Sequence, residues 1–162
     1  MAYNIVVKNT VRDRFVSHPR PEIWKDVPDK DWNNWIWQQQ KRIKSIDVLE
    51  KVIELTEEER KAFSQSHEMF NMGITPYYAS LMDPKNPNCP VRLQAVPKLG
   101  ELTILEHDLE DPLAEERDMP VPGITHRYPD RVLFYTTHHC PVFCRHCTRK
   151  RKVSDPSSAA QK

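Results

Sequence analysis

The chain has 162 residues, of which 38% are hydrophobic and 29% are charged, and its formal net charge is +1. This length and composition suit one folded domain, or one domain and part of another. The near-neutral charge argues against nucleic acid or an acidic membrane surface as a bulk partner, and no apolar run approaches the ~20 residues that span a bilayer.

Residues 1–28 are predicted to form a loose N-terminal arm with little chemical content. The arm contains a short apolar patch, Ile5 to Val7, and a lone His18 that we interpret as a surface histidine. Its first residues, MAYNIVVKNTVRDR, contain no apolar signal segment. We therefore expect a cytoplasmic protein whose thiols are reduced.

Residues 29–105 are predicted to be mainly helical. A first amphipathic helix, capped by Asp29 or Asp31, is expected to continue to about Ile53. Its apolar positions are Trp32, Trp35, Ile36, Ile43, Ile46, Leu49 and Ile53. Three tryptophans between Trp32 and Trp37 could stack on a ligand, but packing in the core or between subunits is the preferred interpretation. Self-association into a homo-oligomer is a hypothesis that follows from this aromatic helix.

Two shorter helices are predicted next. The sequence Thr56-Glu57-Glu58-Glu59 is a capping box, in which Thr56 and Glu59 satisfy each other's exposed amides, and the helix that it opens extends to about Phe70. Thr75 and Pro76 then open a helix from Tyr77 to Met82, with the proline in its first position.

Irregular structure is predicted to dominate the middle of the chain. Asp83 to Pro90 is a proline- and asparagine-rich loop, and Cys89 within it receives no ligand role. Val91 to Val96 could be a helix or a strand, of which the helix is preferred, and an edge strand is expected near the end of Pro97 to Leu105. Residues 106–130, rich in proline and acidic side chains, are predicted to be a long connecting loop.

The most informative stretch is Arg131 to Lys152, RVLFYTTHHCPVFCRHCTRKRK. Val132 to Thr137 is predicted to be a buried strand, because its residues are aliphatic, aromatic or β-branched. Three cysteines follow at the spacing C-x3-C-x2-C: Cys140, Cys144 and Cys147. Ordinary ferredoxin clusters take four thiolates, so a cluster held by three keeps one iron open, which is typical of a catalytic metal site.

A structural zinc site is the main alternative for these cysteines. Its fourth ligand would be His138, His139 or His146. Structural zinc sites usually have two separated pairs of ligands, which this compact triple does not offer. A disulfide is disfavoured in a reducing compartment.

The cysteine motif and its flanks resemble the radical S-adenosylmethionine enzymes of the lysine 2,3-aminomutase family, which includes glutamate-specific members. The resemblance is carried by HRYPDRVLFYTTHHCPVFCRHCTRKRKVSD and, upstream, by DWNNWIWQQQKRI, ITPYYASLMDPKNPNCPVRLQAVP and DPLAEERDMPVPGITHRYPDRV. It covers most of the chain from about Trp24 and corresponds to the N-terminal half of that family.

The resemblance implies a [4Fe-4S] cluster on Cys140, Cys144 and Cys147, with S-adenosyl-L-methionine and pyridoxal 5′-phosphate as further cofactors. It also implies that Arg149 binds the carboxylate of the amino acid substrate. Arg127 and Arg131 match positions near pyridoxal phosphate, and His146 matches a contact to the adenine of S-adenosylmethionine. For the arginines alone, surface salt bridges are the alternative interpretation.

The implied activity is transfer of an amino group from C2 to C3 of an amino acid, L-lysine first and glutamate second. The implied fold is α/β: a helical N-terminal region followed, in residues 131–162, by the first strand and cysteine loop of an incomplete (β/α) barrel. Asp155 and Pro156 are predicted to open a helix. We expect that the strand lacks partner strands and that these 162 residues alone do not turn over substrate. A non-catalytic helical module and a zinc-binding interaction protein remain as alternatives.

Overall fold

The computed structural model describes residues 19–66, 70–137 and 139–153. The predictions at Ile5 to Val7, at His18 and at Asp155-Pro156 lie outside these ranges. Short helices dominate the described residues, which also form one two-stranded antiparallel sheet. The helices are α1 (Asp29–Trp32), α2 (Trp35–Gln40), α3 (Ile46–Leu49), α4 (Glu57–Ser66), α5 (Pro76–Ser80), α6 (Pro90–Ala95) and α7 (Lys150–Val153), and the strands are β1 (Ile124–Tyr128) and β2 (Arg131–Phe134). Two 3-10 turns lie at Glu22–Trp24 and Leu99–Leu102.

The single long helix predicted from Asp29 to Ile53 is wrong, because this segment divides into α1, α2 and α3. Asn34 interrupts it, since its side chain accepts a hydrogen bond from the backbone of Ile36 at 2.9 Å and thereby caps α2. A second break occurs at Ile43, whose backbone pairs with Ile74 instead of continuing a helix. The predicted capping role of Asp29 or Asp31 is also wrong, because Pro28 precedes α1 and provides no side-chain cap.

The predicted capping box is confirmed. The backbone amide of Thr56 donates to the Glu59 carboxylate at 2.8 Å, and the amide of Glu59 donates to the Thr56 hydroxyl at 3.2 Å. The helix that it opens is α4. Pro76 occupies the first turn of α5 as predicted, but Thr75 at the N-cap makes no side-chain hydrogen bond and the helix ends at Ser80, before the predicted Met82. The helix preferred at Val91 to Val96 is α6.

One hydrophobic core joins the helices. Its most buried members include Ile43, Leu49, Ile74, Ala95 and Val96, each 1% exposed or less. Trp24 belongs to this core, so the end of the predicted loose arm packs against the helical region. Trp32 lies 6.1 Å from the ring centres of both Trp24 and Trp37, which supports the packing interpretation for Trp32 and Trp37. Core packing is wrong for Trp35, which is 71% exposed.

The C-terminal half differs from its prediction in four respects. The edge strand expected from Leu102 to Leu105 is absent, because a 3-10 turn ends at Leu102 and residues 103–105 are irregular, and the predicted connecting loop contains the strand β1. β2 has a partner after all, because β1 and β2 form a hairpin in which Ile124 pairs with Phe134 and Tyr128 with Arg131. The predicted burial of the strand is wrong too, since all four β2 residues are exposed.

No further strand occurs within residues 19–66, 70–137 and 139–153, so the expected barrel stays a prediction. Among these same residues, no helix combines the length and apolar character needed to cross a membrane.

Candidate metal centre

The loop that carries the cysteines is fastened to the helical core by backbone hydrogen bonds. Val142 and Ile74 form an antiparallel bridge, flanked by bonds from the Phe143 amide to the Gly73 carbonyl (2.8 Å) and from the Thr75 amide to the Pro141 carbonyl (3.2 Å). Val142 is thereby inserted into the hydrophobic core. The position of the loop is therefore set by the segment that precedes α5.

Gly73 permits this close approach. A Cβ atom at this position would lie 3.0 Å from the aromatic ring of Phe143, which is closer than side chains normally pack. Phe143 itself is buried and stacks on Phe70 with ring centres 5.9 Å apart. A larger residue at Gly73 would displace this ring and, with it, the loop between Cys140 and Cys144.

The three motif cysteines are free thiols, and each is partly buried. Cys140 Sγ donates to the Val142 carbonyl oxygen at 3.0 Å, and Cys144 Sγ lies 3.9 Å from the same oxygen. These two thiols consequently point toward one small region. Cys147 follows in a turn closed by its own amide, which donates to the Cys144 carbonyl at 3.0 Å.

Burial raises the pKa of the Cys144 thiol, and the nearby Cys140 and Cys147 raise it further by like-charge repulsion. Cysteine binds a metal as its thiolate, and the positive charge of a metal ion would offset the like-charge repulsion that raises the pKa of Cys144. Their donor chemistry fits three ligands of an iron–sulfur cluster. In the described residues, no three His, Cys, Asp or Glu side chains already converge as a formed metal site.

An arginine between the second and third cysteines holds the loop from its other side. Arg145 donates from Nε and Nη2 to the Glu101 carboxylate at 2.9 and 2.6 Å. It also donates to the carbonyls of Asn71 and Phe70, both at 3.2 Å. Its backbone amide bonds to the Gln94 carbonyl at 2.8 Å.

A second arginine reaches the carbonyl of the first cysteine. Arg42 Nη1 donates to the Cys140 carbonyl at 2.8 Å, and the Arg42 guanidinium lies 5.1 Å from the centre of the Phe143 ring. Sequence reasoning did not identify Arg42, Glu101 or Arg145 as site residues. Arg145 could have been noticed because it lies within the cysteine motif, whereas Arg42 and Glu101 carry no local signal.

Arg149, the predicted ligand of the substrate carboxylate, lies two residues after Cys147 and contacts a carboxylate of the chain itself. Arg149 Nη2 donates to Glu115 Oε1 at 2.6 Å. The Glu115 side chain is only 8% exposed, and its second oxygen lies 3.7 Å from Lys152 Nζ. Both cations lie over the ring of Tyr135. Glu115 was not predicted, because nothing in its local sequence separates it from the neighbouring acidic residues.

The other predicted site residues lie at the surface. His146 is exposed, as are Arg127 and Arg131. Arg127 donates to the Leu113 carbonyl at 2.9 Å, and Arg131 pairs with its neighbour Asp130 at 3.1 Å. The structure therefore brings the three cysteines and Arg149 onto one short segment and leaves Arg127 and Arg131 on the hairpin.

Cys89 is separate from the three motif cysteines in its environment. It is buried, and its sulfur accepts a hydrogen bond from the Asp83 amide at 3.3 Å. Burial raises its pKa, but backbone hydrogen bonds from Asp83, Arg92 and Val91 outweigh burial and lower the pKa overall. Cys89 therefore has a structural role in closing the loop before α6.

Similar proteins point to one family, although no family model matches the chain. The L-lysine 2,3-aminomutase of Bacillus subtilis (strain 168) is 55% identical over 130 residues, which are 80% of this chain and 28% of that protein. The L-lysine 2,3-aminomutase of Clostridium subterminale is 54% identical over 132 residues, 82% of this chain and 32% of that protein. The glutamate 2,3-aminomutase of Clostridioides difficile (strain 630) is 40% identical over 134 residues, 83% of this chain and 32% of that protein.

The chain spans about a third of the length of these curated relatives. The similarity nevertheless includes lysine and glutamate enzymes and extends over four fifths of the chain or more. This chain belongs to the lysine 2,3-aminomutase family.

Proposed function

We propose that this chain is the part of an L-lysine 2,3-aminomutase that provides the ligands of an iron–sulfur cluster and a binding residue for the substrate carboxylate. The observation that carries the proposal is the cysteine loop, which is fastened to a buried core and contains three free thiols. Two of these thiols, Cys140 and Cys144, lie near the same carbonyl oxygen of Val142. The family membership of the chain supports the same assignment.

When bound, the cluster with S-adenosyl-L-methionine supplies the radical that starts amino-group migration, and pyridoxal phosphate holds the migrating nitrogen. Cys140, Cys144 and Cys147 would be the thiolate ligands of the cluster. The packed backbone on both sides of Val142 holds the first two thiols in place, and the Arg145–Glu101 pair fixes the turn before the third. Cluster binding requires all three thiols to lose their protons.

Arg149 would bind the carboxylate of the amino acid. A guanidinium presents Nε and Nη donors as a planar fork that matches a carboxylate, which a lysine ammonium cannot do. Its place two residues after Cys147 keeps the substrate close to the cluster. Arg127 and Arg131 would bind the pyridoxal phosphate group, and His146 would contact the adenine of S-adenosylmethionine.

L-lysine is the preferred substrate because the two lysine enzymes above are 54–55% identical to this chain and the glutamate enzyme is 40% identical. Glutamate is the second candidate. We further propose that the protein is cytoplasmic and that the 162-residue chain alone forms no β-amino acid, since it spans about a third of the length of the relatives that it matches.

Anaerobic reconstitution with iron and sulfide tests the assignment of the ligands. We expect iron and sulfide each at about four per chain, together with an electron paramagnetic resonance signal after reduction that changes when S-adenosylmethionine is added. Replacing Cys140, Cys144 or Cys147 with serine should lower the iron content strongly. Cys89→Ser is the matched control, because it removes a thiol outside the loop and should retain the cluster.

Two results would overturn the proposal. Stoichiometric zinc in anaerobically purified protein, without loss on exposure to oxygen, would favour a zinc-binding interaction protein. A stably folded chain that takes up neither metal would favour a non-catalytic helical module. Assay of the reconstituted chain with L-lysine and with L-glutamate separately tests its proposed inactivity, and sustained formation of a β-amino acid would overturn it. Tighter binding of L-glutamate than of L-lysine to the reconstituted chain would reverse the preference for lysine.

A further inference from the structure

One of the hydrogen-bond donors of Arg149 lacks a partner in this structure. Its Nη2 donates to Glu115, whereas its Nε is buried and has no hydrogen-bond partner in the part of the chain that the structure describes. A carboxylate that met the guanidinium squarely would engage both donors. Glu115 thus accepts a hydrogen bond from Nη2 of the guanidinium only. The buried Nε donor is left unpaired, which costs free energy.

Glu115 is also presented by a strained backbone. Ala114, which precedes it, has a φ of +50°, in the left-handed region that a residue with a Cβ atom rarely adopts. Within the described residues it is the one non-glycine residue with a positive φ. Such strain persists where surrounding contacts enforce it and often marks a position that switches.

A second cation gives Glu115 an alternative partner. Lys152 Nζ lies 3.7 Å from Glu115 Oε2, the oxygen that does not contact Arg149. If Oε1 released Arg149, the carboxylate would still face a positive charge, so the buried anion would not be left uncompensated. Tyr135 lies beneath both cations and keeps them on one face.

We propose that Glu115 is an internal carboxylate that occupies Arg149 until an external carboxylate replaces it, and that Glu115 is then retained by Lys152. The external ligand is a small carboxylate-bearing molecule that engages Nε and Nη2 of Arg149 together. The identification of this ligand with an amino acid substrate rests on the proposed function, whereas the exchange of carboxylates rests on the contacts around Arg149.

Acetate is the probe, because it presents a carboxylate and nothing else. Nuclear magnetic resonance of the Arg149 Nε–Hε group, assigned with an Arg149→Lys variant, reports its binding to the 162-residue chain. Glu115→Gln should bind acetate about ten-fold more tightly than the unmodified chain, the gain expected when a binding-competent state populated at roughly a tenth becomes fully populated. Glu116→Gln, the same exchange one position further on an exposed residue, should bind acetate like the unmodified chain.

The proposal is overturned if Glu115→Gln binds acetate no more tightly than the unmodified chain. A measurement on the unmodified chain keeps the test decisive even if that variant fails to fold. Acetate should shift the side-chain carboxyl carbon of Glu115 and the Arg149 Nε–Hε resonance with one common midpoint. A shift at Arg149 without a shift at Glu115 also defeats the proposal.

The substrate assignment has a separate readout. L-lysine and cadaverine differ by the carboxylate, so L-lysine should bind the Glu115→Gln chain through Arg149 and cadaverine should not. If acetate binds as expected but L-lysine does not bind through Arg149, the exchange of carboxylates stands and the assignment of an amino acid ligand fails. If acetate binding is insensitive to Glu115 while L-lysine binding depends on Arg149, the role of Glu115 fails and the proposed function stands.

Discussion

The helical region packs against the cysteine loop and the hairpin precedes the loop in the chain, but the two regions differ sharply in burial. Ile43 and Ile74 in the helical region are 1% exposed or less, whereas Phe134 at the end of β2 is 64% exposed. The loop joins the buried side, because Val142 inserts into the core through its bridge to Ile74. The cysteines are therefore held by the helical region, and the strand that immediately precedes them contributes little to their position.

This difference predicts that the largest loss of stability follows from breaking the buried ion pair of the helical region. Arg92 donates to the Glu59 carboxylate at 3.0 and 2.6 Å, and both side chains are 0% exposed. Arg92→Met should lower the free energy of unfolding by about 3 kcal/mol, because the buried Glu59 carboxylate loses its arginine partner and the partly exposed Lys98, 3.4 Å from Glu59 Oε1, compensates the charge only in part. Urea titration followed by circular dichroism measures this change.

The double variant Arg92→Met with Glu59→Leu is the control for that prediction. It removes both charges, so it should recover much of the lost stability. A single variant that is as stable as the double variant would contradict the view that the buried carboxylate, once it has lost Arg92, causes the loss of stability.

A smaller loss of stability is expected when the contacts of Arg145, which hold the cysteine loop, are removed. Arg145→Gln removes the pair with Glu101 and two hydrogen bonds to carbonyls, and should cost about 2 kcal/mol, the range for hydrogen bonds to charged groups. It should also lower the iron retained after reconstitution. Arg131→Gln, the matched exchange on the hairpin, should leave both the urea midpoint and the iron content unchanged, because its pair with Asp130 is exposed.

Acid should weaken the helical region before any effect on the hairpin is measurable. Burial raises the pKa of Glu59, but hydrogen bonds from Arg92 and Thr56 and the charges of Arg92 and Lys98 outweigh burial and lower it below its ordinary value of 4.5. The ionised carboxylate therefore contributes stability above about pH 4.5, and this contribution is lost as pH falls through the lowered pKa of the folded state. Protonation removes the charge of Glu59 and keeps its side chain in place, so the loss of stability should be smaller than the losses caused by Arg92→Met and Arg145→Gln.

Urea midpoints measured from pH 6 to pH 3 test this pH dependence. Glu59→Gln should flatten the acid side of the profile. The hydrogen bond with Arg117 lowers the pKa of Asp118, but that pair is at the surface, so Asp118→Asn should leave the profile almost unchanged. Equal flattening by the two variants would contradict the assignment to the buried carboxylate.

Removal of the N-terminal cap of α4 should reduce the free energy of unfolding by a still smaller amount. Thr56→Ala removes the hydroxyl that accepts from the Glu59 amide and should cost about 1 kcal/mol. Ser45 precedes α3 but makes no side-chain cap hydrogen bond, so Ser45→Ala should cost less than about 0.5 kcal/mol. Equal losses from the two variants would show that the hydroxyl of Thr56 is not the stabilising group.

The sequence predicted best those features that depend on neighbouring residues. The capping box at Thr56 and Glu59, the proline that opens α5 and the helix α6 all depend on interactions within a few positions, and each is present. The family and the cysteine motif were recognisable for the same reason, since the motif is contiguous.

Features that depend on distant residues could not be predicted. The Ile43–Ile74 bridge ends the first helical segment, and this contact is not predicted by any local sequence pattern. The Arg145–Glu101 and Arg149–Glu115 pairs join residues 44 and 34 positions apart, so many acidic residues were equally plausible partners. β1 was missed because its sequence, ITHRY, alternates weakly and lies in a proline-rich stretch.

The smallest change in stability should come from the hairpin face. Phe134→Ser should alter the free energy of unfolding by less than about 0.5 kcal/mol, because the side chain is largely solvated already. Phe143→Ser is the matched exchange in the cysteine loop, where the ring is 8% exposed and stacked on Phe70, and it should cost about 3 kcal/mol or more.

Light scattering extends this last comparison to self-association. Val132 is exposed on the same face of β2 as Phe134, because alternate residues of a strand share a face, and an exposed apolar surface promotes contact with another surface. Phe134→Ser should therefore reduce association at high protein concentration while leaving the urea midpoint in place. A large loss of stability in Phe134→Ser would contradict the division between the two regions, because it would mean that the hairpin packs against the core in solution and helps to position the cysteines.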